Sequence, residues 1–510
     1  MRFGLIAVTA LAVSALFSSA PAQAAKTYSI LTAPDKNDGA FTEASKQAND
    51  DTIRAASSII RALKTAHEII ANCGDCTVNV KLAEGSYAGR GDTAAQWVFP
   101  EVNAPKATLR ILGGYNQAFT IRAPFTQKTL AAHAKGRSDA VLTIEAKKSQ
   151  LKELVVSGIF FDVGDGNDYS GSNLMKSSSP SVPILRFGYL ETTKLVIADN
   201  VFMNAAHGVG APLIRAAGSN AEVVLRNNIF VNNVYNWVVT GASQKNILAS
   251  YKVQGNSFIL NWPFNPDPTT SNPGALEIGN NYVAKKVSIE DNLFAYNVGG
   301  AIFPQWSEDR GPKMEIKHNL FYGNGAMFSP KNTADGAFVG KFTGGGRHLT
   351  FDIETIEEDF DWAASDNASF DPKLAVPKLD IKVAGYKAGD KTEMSVGGDD
   401  AALATDDQEI DIETVKVDGE EGVDIEIEVV ADDTAADETA TDTQATPVDE
   451  VAEADTGVSG FSFDTEDDFS GDMDIKNYAP QMTIDKALIF PANPDAQAFG
   501  ANPDRVVQFD

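Results

Sequence analysis

Cysteine is nearly absent from this chain of 510 residues. It has only Cys73 and Cys76, which excludes a disulfide-dense mini-domain and a thiolate metal centre with a full ligand set. Histidine is equally sparse. The five residues at 67, 133, 207, 318 and 348 show no paired spacing on one element, so the sequence offers no transition-metal site. Beyond the N-terminus no apolar run approaches the roughly 20 residues that a bilayer-spanning helix needs. Basic residues are missing from one region above all. From Asp399 to Asp474 there are 28 acidic side chains and a single basic one, Lys416. The net charge of −28, from 70 acidic and 42 basic residues, therefore belongs almost wholly to that segment, and the rest of the chain is close to neutral. That balance argues against nucleic acid as a main partner and against docking on anionic lipid. With 43% apolar residues, the remainder has ample material for a core.

The N-terminus reads as an export signal. Arg2 precedes an apolar stretch from Leu5 to Phe17, and Ala22-Gln23-Ala24 forms a small-x-small cleavage pattern, giving a signal peptide over 1–24. No cysteine follows for lipid attachment and no later span is expected, so the mature chain is expected to be periplasmic, secreted or at the cell surface. Residues 25–75 form an N-terminal segment. Within it, Asn49 to Ala71 has helical spacing of Ile53, Ile59, Ile60, Leu63, Ile69 and Ile70 and is expected to cap the fold. A redox C-x-x-C follows a strand and opens a helix, whereas here the helix comes first and a strand follows. In an exported protein, Cys73 and Cys76 are thus expected to form a disulfide that pins the helix to the first strand.

What the chain has in abundance is a repeat. Five segments alternate apolar residues and end in Asn-x-Phe: LVIADNVFMN (195–204), VVLRNNIFVN (223–232), YKVQGNSFILN (251–261), VSIEDNLFAYN (287–297) and MEIKHNLFYGN (314–324). The asparagines are Asn200, Asn228, Asn256, Asn292 and Asn319, and the aromatics are Phe202, Phe230, Phe258, Phe294 and Phe321. A weaker copy, LVVSGIFFD (154–162), has Gly158 in the asparagine position and keeps Phe160. One such unit, a strand, a turn and a short second strand, cannot bury its apolar face alone. Stacking the units makes the core, about 4.8 Å apart. Asparagines in one column can then satisfy one another and the turn backbone, while phenylalanines stack along the axis.

The Asn-x-Phe ladder resembles the right-handed parallel β-helix of the pectate-lyase-like superfamily. The capping helix, the strand VNVKLAEGSY (78–87), the GGY-x-x-x-F turn within LRILGGYNQAFTIRAP (109–124) and the exit NASFDPKL (367–374) are similar to parts of those proteins. The resemblance implies an all-β, right-handed parallel β-helix solenoid over 76–375, with an N-terminal capping helix. Residues 376–475 are expected to form an acidic, partly disordered insertion. It contains a hairpin pattern at 410–430, with one apolar and one acidic face, and a linker at 431–457 that has no aromatic residue. Residues 476–510 are similar to the closing segment that follows such an exit, and are expected to fold back on the helix end.

In that superfamily a groove along one sheet holds the glycan, and the resemblance places it on the strand after each Asn-x-Phe turn. These strands are PLIRA (212–216), WVVTG (237–241), ALEIGN (275–280), AIFPQW (301–306) and AMFSP (326–330). Candidate catalytic residues there are Glu277, Arg215 and Arg310. Candidate substrate contacts are Trp237, Gln305, Trp306 and Asp309, since Trp stacks on sugar rings and Arg neutralises uronate charge. Named signatures are mostly missing. The spaced aspartates of polygalacturonases do not occur beyond His207-Gly208, and Asp371-Pro372 continues to Lys373 rather than to the histidine of mannuronan epimerases. Arg226 and Lys317 share a column with Ala198, Gln254 and Glu290, which reads as a surface charge ladder. The loop at 162–173 brings Asp162, Asp165, Asn167 and Asp168 close in sequence, a donor set of the kind calcium takes, although its spacing is not that of an EF-hand.

Three readings of function follow. The chain binds or organises extracellular polysaccharide without cleaving it; or it is a polysaccharide lyase or related enzyme; or it is a structural or adhesive surface protein with a cation-binding acidic arm. The charge division itself is testable. Removal of 399–474 is expected to leave the β-helix folded, with a cooperative far-ultraviolet melt. A variant that lacks the segment and does not melt cooperatively would show the boundary to be wrong.

Overall fold

In the computed structural model, the described residues are 25–49, 51–87, 97–132, 141–144, 149–164, 174–176, 184–189, 191–205, 214–217, 222–233, 239–240, 249–262, 274–276, 278–279, 284–303, 314–325, 339–343, 346–350, 352–360, 362–376, 379–384, 391–396, 477–480 and 484–509. Residues 1–24, read above as a signal peptide, the hairpin pattern at 410–430 and the linker at 431–457 lie outside them.

Among the described residues, three parallel sheets of eleven, eight and six strands carry the chain through successive coils. One coil shows the plan. Glu222–Arg226 lies in the long sheet, Ile229–Val231 in the second and Val239–Thr240 in the third, and Ala249–Gln254 then returns to the long sheet beside Glu222–Arg226. The chain is therefore a parallel β-helix. Alternation along the strands sends Leu195 and Ile197, Val223 and Leu225, Tyr251 and Val253, Val287 and Ile289, and Met314 and Ile316 into its interior. Within the second sheet, Phe161, Phe202, Phe230, Phe258, Phe294 and Phe321 stack with ring centroids 4.8 to 5.3 Å apart and planes within 9°.

The weak copy enters this register one residue away from its expected position. Ser157 pairs with Ala198 and Phe161 with Phe202, so Phe161, not Phe160, joins the stack. Gly158 therefore stands level with Asp199, not with the ladder asparagine. From Gly158 onward the residues in that column have positive φ: Gly158, Asp199, Asn227, Gly255, Asp291, His318 and Asp366. These are the residue types that enter the left-handed region at least cost, and the turn out of the long sheet demands it.

The asparagine after each left-handed residue holds the turn together. Asn256 Oδ1 accepts from the backbone N–H (3.0 Å) and Nδ2 (2.9 Å) of Asn228. Its own Nδ2 donates to the Leu225 carbonyl (2.9 Å) and to Asn292 Oδ1 (3.0 Å). The same pattern links Asn200, Asn228, Asn256, Asn292, Asn319 and Asn367. A second ladder, not anticipated above, runs through Asn233, Asn261, Asn297 and Asn324 at the turn between the second and third sheets.

Helices close the start of the coil stack. Only part of the expected capping helix forms, over Ile59–Cys73, while Ile53–Ala56 is a strand paired with Lys26–Thr32. Two local bonds explain the boundary. Asn49 Oδ1 accepts from the backbone of Asp51, Thr52 and Ile53, which fixes a turn, and the Ser58 hydroxyl caps the helix by accepting from Arg61 N–H. Ile59, Ala62, Leu63, Ala66, Ile69 and Ile70 seal the core, while Ile60 faces outward. Cys73 and Cys76 form the disulfide and tie this helix to Cys76–Ala83. That strand is third in chain order, not first, because Lys26–Thr32 and Ile53–Ala56 precede it.

The C-terminal segment, 484–509, runs back along the outside of the coils. Leu488, Ile489, Phe499 and Ala501 cover the outward face of the second sheet at Val201, Ile229, Leu293 and Leu320. Gly500 N–H donates to the Asp291 carbonyl, Ala501 N–H to Ser257 Oγ, Asn502 N–H to Asn227 Oδ1 and Val507 N–H to Asp199. Each contact lies one coil nearer the start, so this strap spans the stack rather than capping its end. Val507 and Phe509 finish against the helix Gly39–Gln47 and the outer face of the long sheet, where Leu112, Val155 and Val196 are buried.

Asn256→Ala would remove four buried hydrogen bonds and leave the Asn228 N–H without its acceptor. Equilibrium urea unfolding is expected to show a loss of about 3 kcal/mol or more. The exposed neighbour change Lys252→Ala is expected to stay within about 0.5 kcal/mol.

Candidate functional site

The third sheet is the face on which a groove was expected. Its described strands are Trp97–Phe99, Leu142–Ile144, Leu185–Tyr189, Ile214–Ala217, Val239–Thr240 and Ile278–Gly279. Buried Trp97, Phe99, Leu142, Ile144, Leu185 and Phe187 point inward. The residues between them form a cross-strand column: Val98, Thr143, Arg186, Arg215, Thr240 and Gly279. Val98 and Arg186 are exposed.

Arg215 thus takes the register position next to Arg186, although its side chain lies outside the described residues. Arg186 was missed in the sequence, where ILRF (184–187) parallels LIRA (213–216) and would have revealed it. Glu277, Arg310, Trp237, Gln305, Trp306 and Asp309 lie outside the described residues. In sequence, Trp237 lies two residues before Val239–Thr240, Glu277 immediately precedes Ile278–Gly279, and the other four follow Phe303.

Of the candidate calcium ligands, only Asp162 is described. Its Oδ1 accepts from Gly164 N–H (3.0 Å) and Asn204 Nδ2 (3.2 Å), a turn-closing role. Asp165, Asn167 and Asp168 lie outside the described residues. Among the described residues no three His, Cys, Asp or Glu side chains come together as a metal site.

The column Ala198, Arg226, Gln254, Glu290 and Lys317 is in register on the outer edge of the long sheet. Glu290 accepts from the Ser288 hydroxyl, and among the described residues no ion pair joins it to Lys317. Lys286–Glu315 (3.1 Å) and Lys194–Glu222 (3.5 Å) pair across coils instead. Where this edge meets the strap there is a cleft of about 290 Å³, lined by Arg226, Gln254, Asp291, His318, Ala498 and Arg505, among others. The Asp291 carboxylate is part of its lining and receives His318 Nδ1 (2.7 Å) and Gln254 Nε2 (3.0 Å). The His318 ring stacks on Phe499 of the strap, 4.6 Å between centroids.

Two coils nearer the start, the strap covers a buried ion pair. Arg122 approaches Asp199 at 3.6 Å, and both are almost fully buried. Burial pushes the Asp199 carboxyl up, against the opposing pull of Arg122, Asn227, Ser157 and the Val507 amide. Burial likewise lowers Arg122, with Asp199 opposing it. Both shifts run toward the neutral forms, with desolvation the leading cause for each partner. The pair is well partnered all the same. Arg122 also donates to Ser157 Oγ, the Gly113 carbonyl and the Val507 carbonyl, and its guanidinium lies 5.7 Å from the Phe509 ring centroid.

Comparison with protein-family models, with curated proteins and with solved structures finds no match for this chain.

Removing one partner leaves the other charge buried. Asp199→Asn and Arg122→Met are each expected to lower stability by about 3 kcal/mol, and the double variant by less than either alone. Chemical denaturation of the three proteins measures the cycle. A double variant with the summed loss would mean that the charges act independently.

Proposed function

We propose that this is an exported β-helix protein that binds an acidic polysaccharide along its third sheet without cleaving it. The observation that carries this reading is the adjacency of Arg186 and Arg215 on neighbouring strands of the outward column. Coil spacing sets such positions about 4.8 Å apart, on the scale of one sugar ring. A guanidinium donates to a carboxylate in a two-pronged geometry that an ammonium cannot match. Two in succession therefore suit uronate units that follow the helix axis. Thr143 continues the same column with a hydroxyl for neutral sugar oxygens.

The sequence resemblance to the pectate-lyase-like superfamily supports the choice of sheet, because groove strands in that fold follow the ladder turn. The export signal read over 1–24 would bring the protein to envelope or extracellular glycans. The near-neutral charge of the chain outside 399–474 fits a local arginine site rather than a general polyanion-binding surface. The non-catalytic form of the reading rests on the missing Asp-Pro-His and spaced-aspartate signatures.

Titration of the whole protein with polygalacturonate and alginate separates the readings. Binding is expected to weaken at least about tenfold in Arg186→Ala/Arg215→Ala, the loss of one or more charge-assisted contacts. Ultraviolet absorbance from unsaturated uronate is expected to stay flat, with or without calcium. A rising absorbance would make the protein a lyase, and unchanged binding by the double variant would remove the arginine column from the site.

A further inference from the structure

The cleft beneath the strap exists because one column position has no side chain. Along the left-handed column Asn227 and Asp291 fill their positions, but Gly255 lies between them. A Cβ placed there would meet only the Gly500 carbonyl oxygen, at 3.7 Å. Ala498 is equally small on the strap side. The strap thus bridges a gap that it does not fill.

The walls of that gap carry unspent positive charge. Arg226 stands at the exposed end of Glu222–Arg226, and among the described residues its side chain has no hydrogen-bond or ion-pair partner. Arg505 is anchored differently. Its Nη1 donates to the Ala498 carbonyl (2.9 Å) and its Nη2 to the Gln497 carbonyl (3.3 Å). These bonds orient the guanidinium at the cleft and use two of its five N–H groups. The one carboxylate, Asp291, already receives His318 and Gln254. Two guanidinium groups therefore face the cleft against one satisfied carboxylate, and the balance favours an anion.

We propose that this cleft binds an oxyanion, a carboxylate or a sulfate, carried by a ligand no larger than one sugar ring. The group is held between Arg226 on the coils and Arg505 on the strap. The volume limits the ligand, because about 290 Å³ lies at the bottom of the range for small-molecule sites. The site lies at the turn between the long and second sheets, apart from the arginine column of the third sheet, and it does not depend on that reading.

Gly255→Asn tests the gap directly. Asparagine already takes the left-handed conformation at Asn227 one coil earlier, so the variant is expected to fold while its side chain occupies the cleft. Arg226→Gln, at an exposed position, removes one arm of the site without touching the core. Calorimetric titration of the full-length protein with D-galacturonate, sodium sulfate and D-galactose is expected to show binding of the two anions and none of the neutral sugar. Each variant is expected to lose at least tenfold in sulfate affinity, while Lys64→Ala, an exposed change on the helix Ile59–Cys73, retains it. Tighter binding of galacturonate than of sulfate would assign the ligand as a sugar acid, and equal binding would assign the oxyanion alone. Absence of anion binding by the wild type, or unchanged affinity in Gly255→Asn and Arg226→Gln, would overturn the site.

Discussion

The asparagine ladder at the first turn is the constraint from which the rest of the structure follows. A parallel solenoid must bend sharply after every strand, and each bend turns backbone amides and carbonyls toward an apolar interior. Asn256 shows how this is met: one amide serves two donors below it, one backbone acceptor and one side-chain acceptor above. Because each asparagine needs the next, the coils must stack in register. The phenylalanine column follows from that registration, since its rings are two residues on from the ladder.

A ladder of this kind also dictates its flanks. To aim the asparagine inward, the preceding residue turns left-handed, which selects Gly, Asn, Asp or His and places short polar side chains in a row along the outside of the turn. That row then becomes the landing strip for the C-terminal segment. Asn502 uses Asn227, Val507 uses Asp199, and Gly500 uses the Asp291 carbonyl. A backbone requirement inside the coil thus creates a polar track outside it, and the cleft is the interruption of that track at Gly255.

The parts of the fold governed by local, repeated chemistry were legible in the sequence. Asn-x-Phe recurs with its apolar alternation, and stacking follows. The weak copy misled by one residue because Gly158 resembles a degenerate ladder position, whereas its freedom from a Cβ suits the column before it. In a period-two strand that slip exchanges Phe160 for Phe161. The second ladder was also there to read, as Asn-x-Phe-x-x-Asn at 228–233, 256–261, 292–297 and 319–324. Helical spacing from Ile53 onward was overruled by Asn49 and Ser58, whose side chains hold a turn and a cap. The cleft was not legible at all. Arg226 and Arg505 are far apart in sequence, and only the path of the strap brings them to one place.

That path raises the question of how a closing segment finds its track after so long a detour. Between Val376, packed under the strap, and Ile484, where the strap begins, roughly a hundred residues intervene. Loop closure grows only with the logarithm of length, so lengthening a connection from roughly ten residues to a hundred costs about 2 kcal/mol. Burial of Leu488, Ile489 and Phe499 can offset that several times over, at about 1.5–3 kcal/mol for each large apolar side chain. The strap therefore docks by its own contacts and does not depend on the chain that precedes it. The entropic cost of carrying a segment with 28 acidic residues in that connection is therefore small beside the burial that holds the strap.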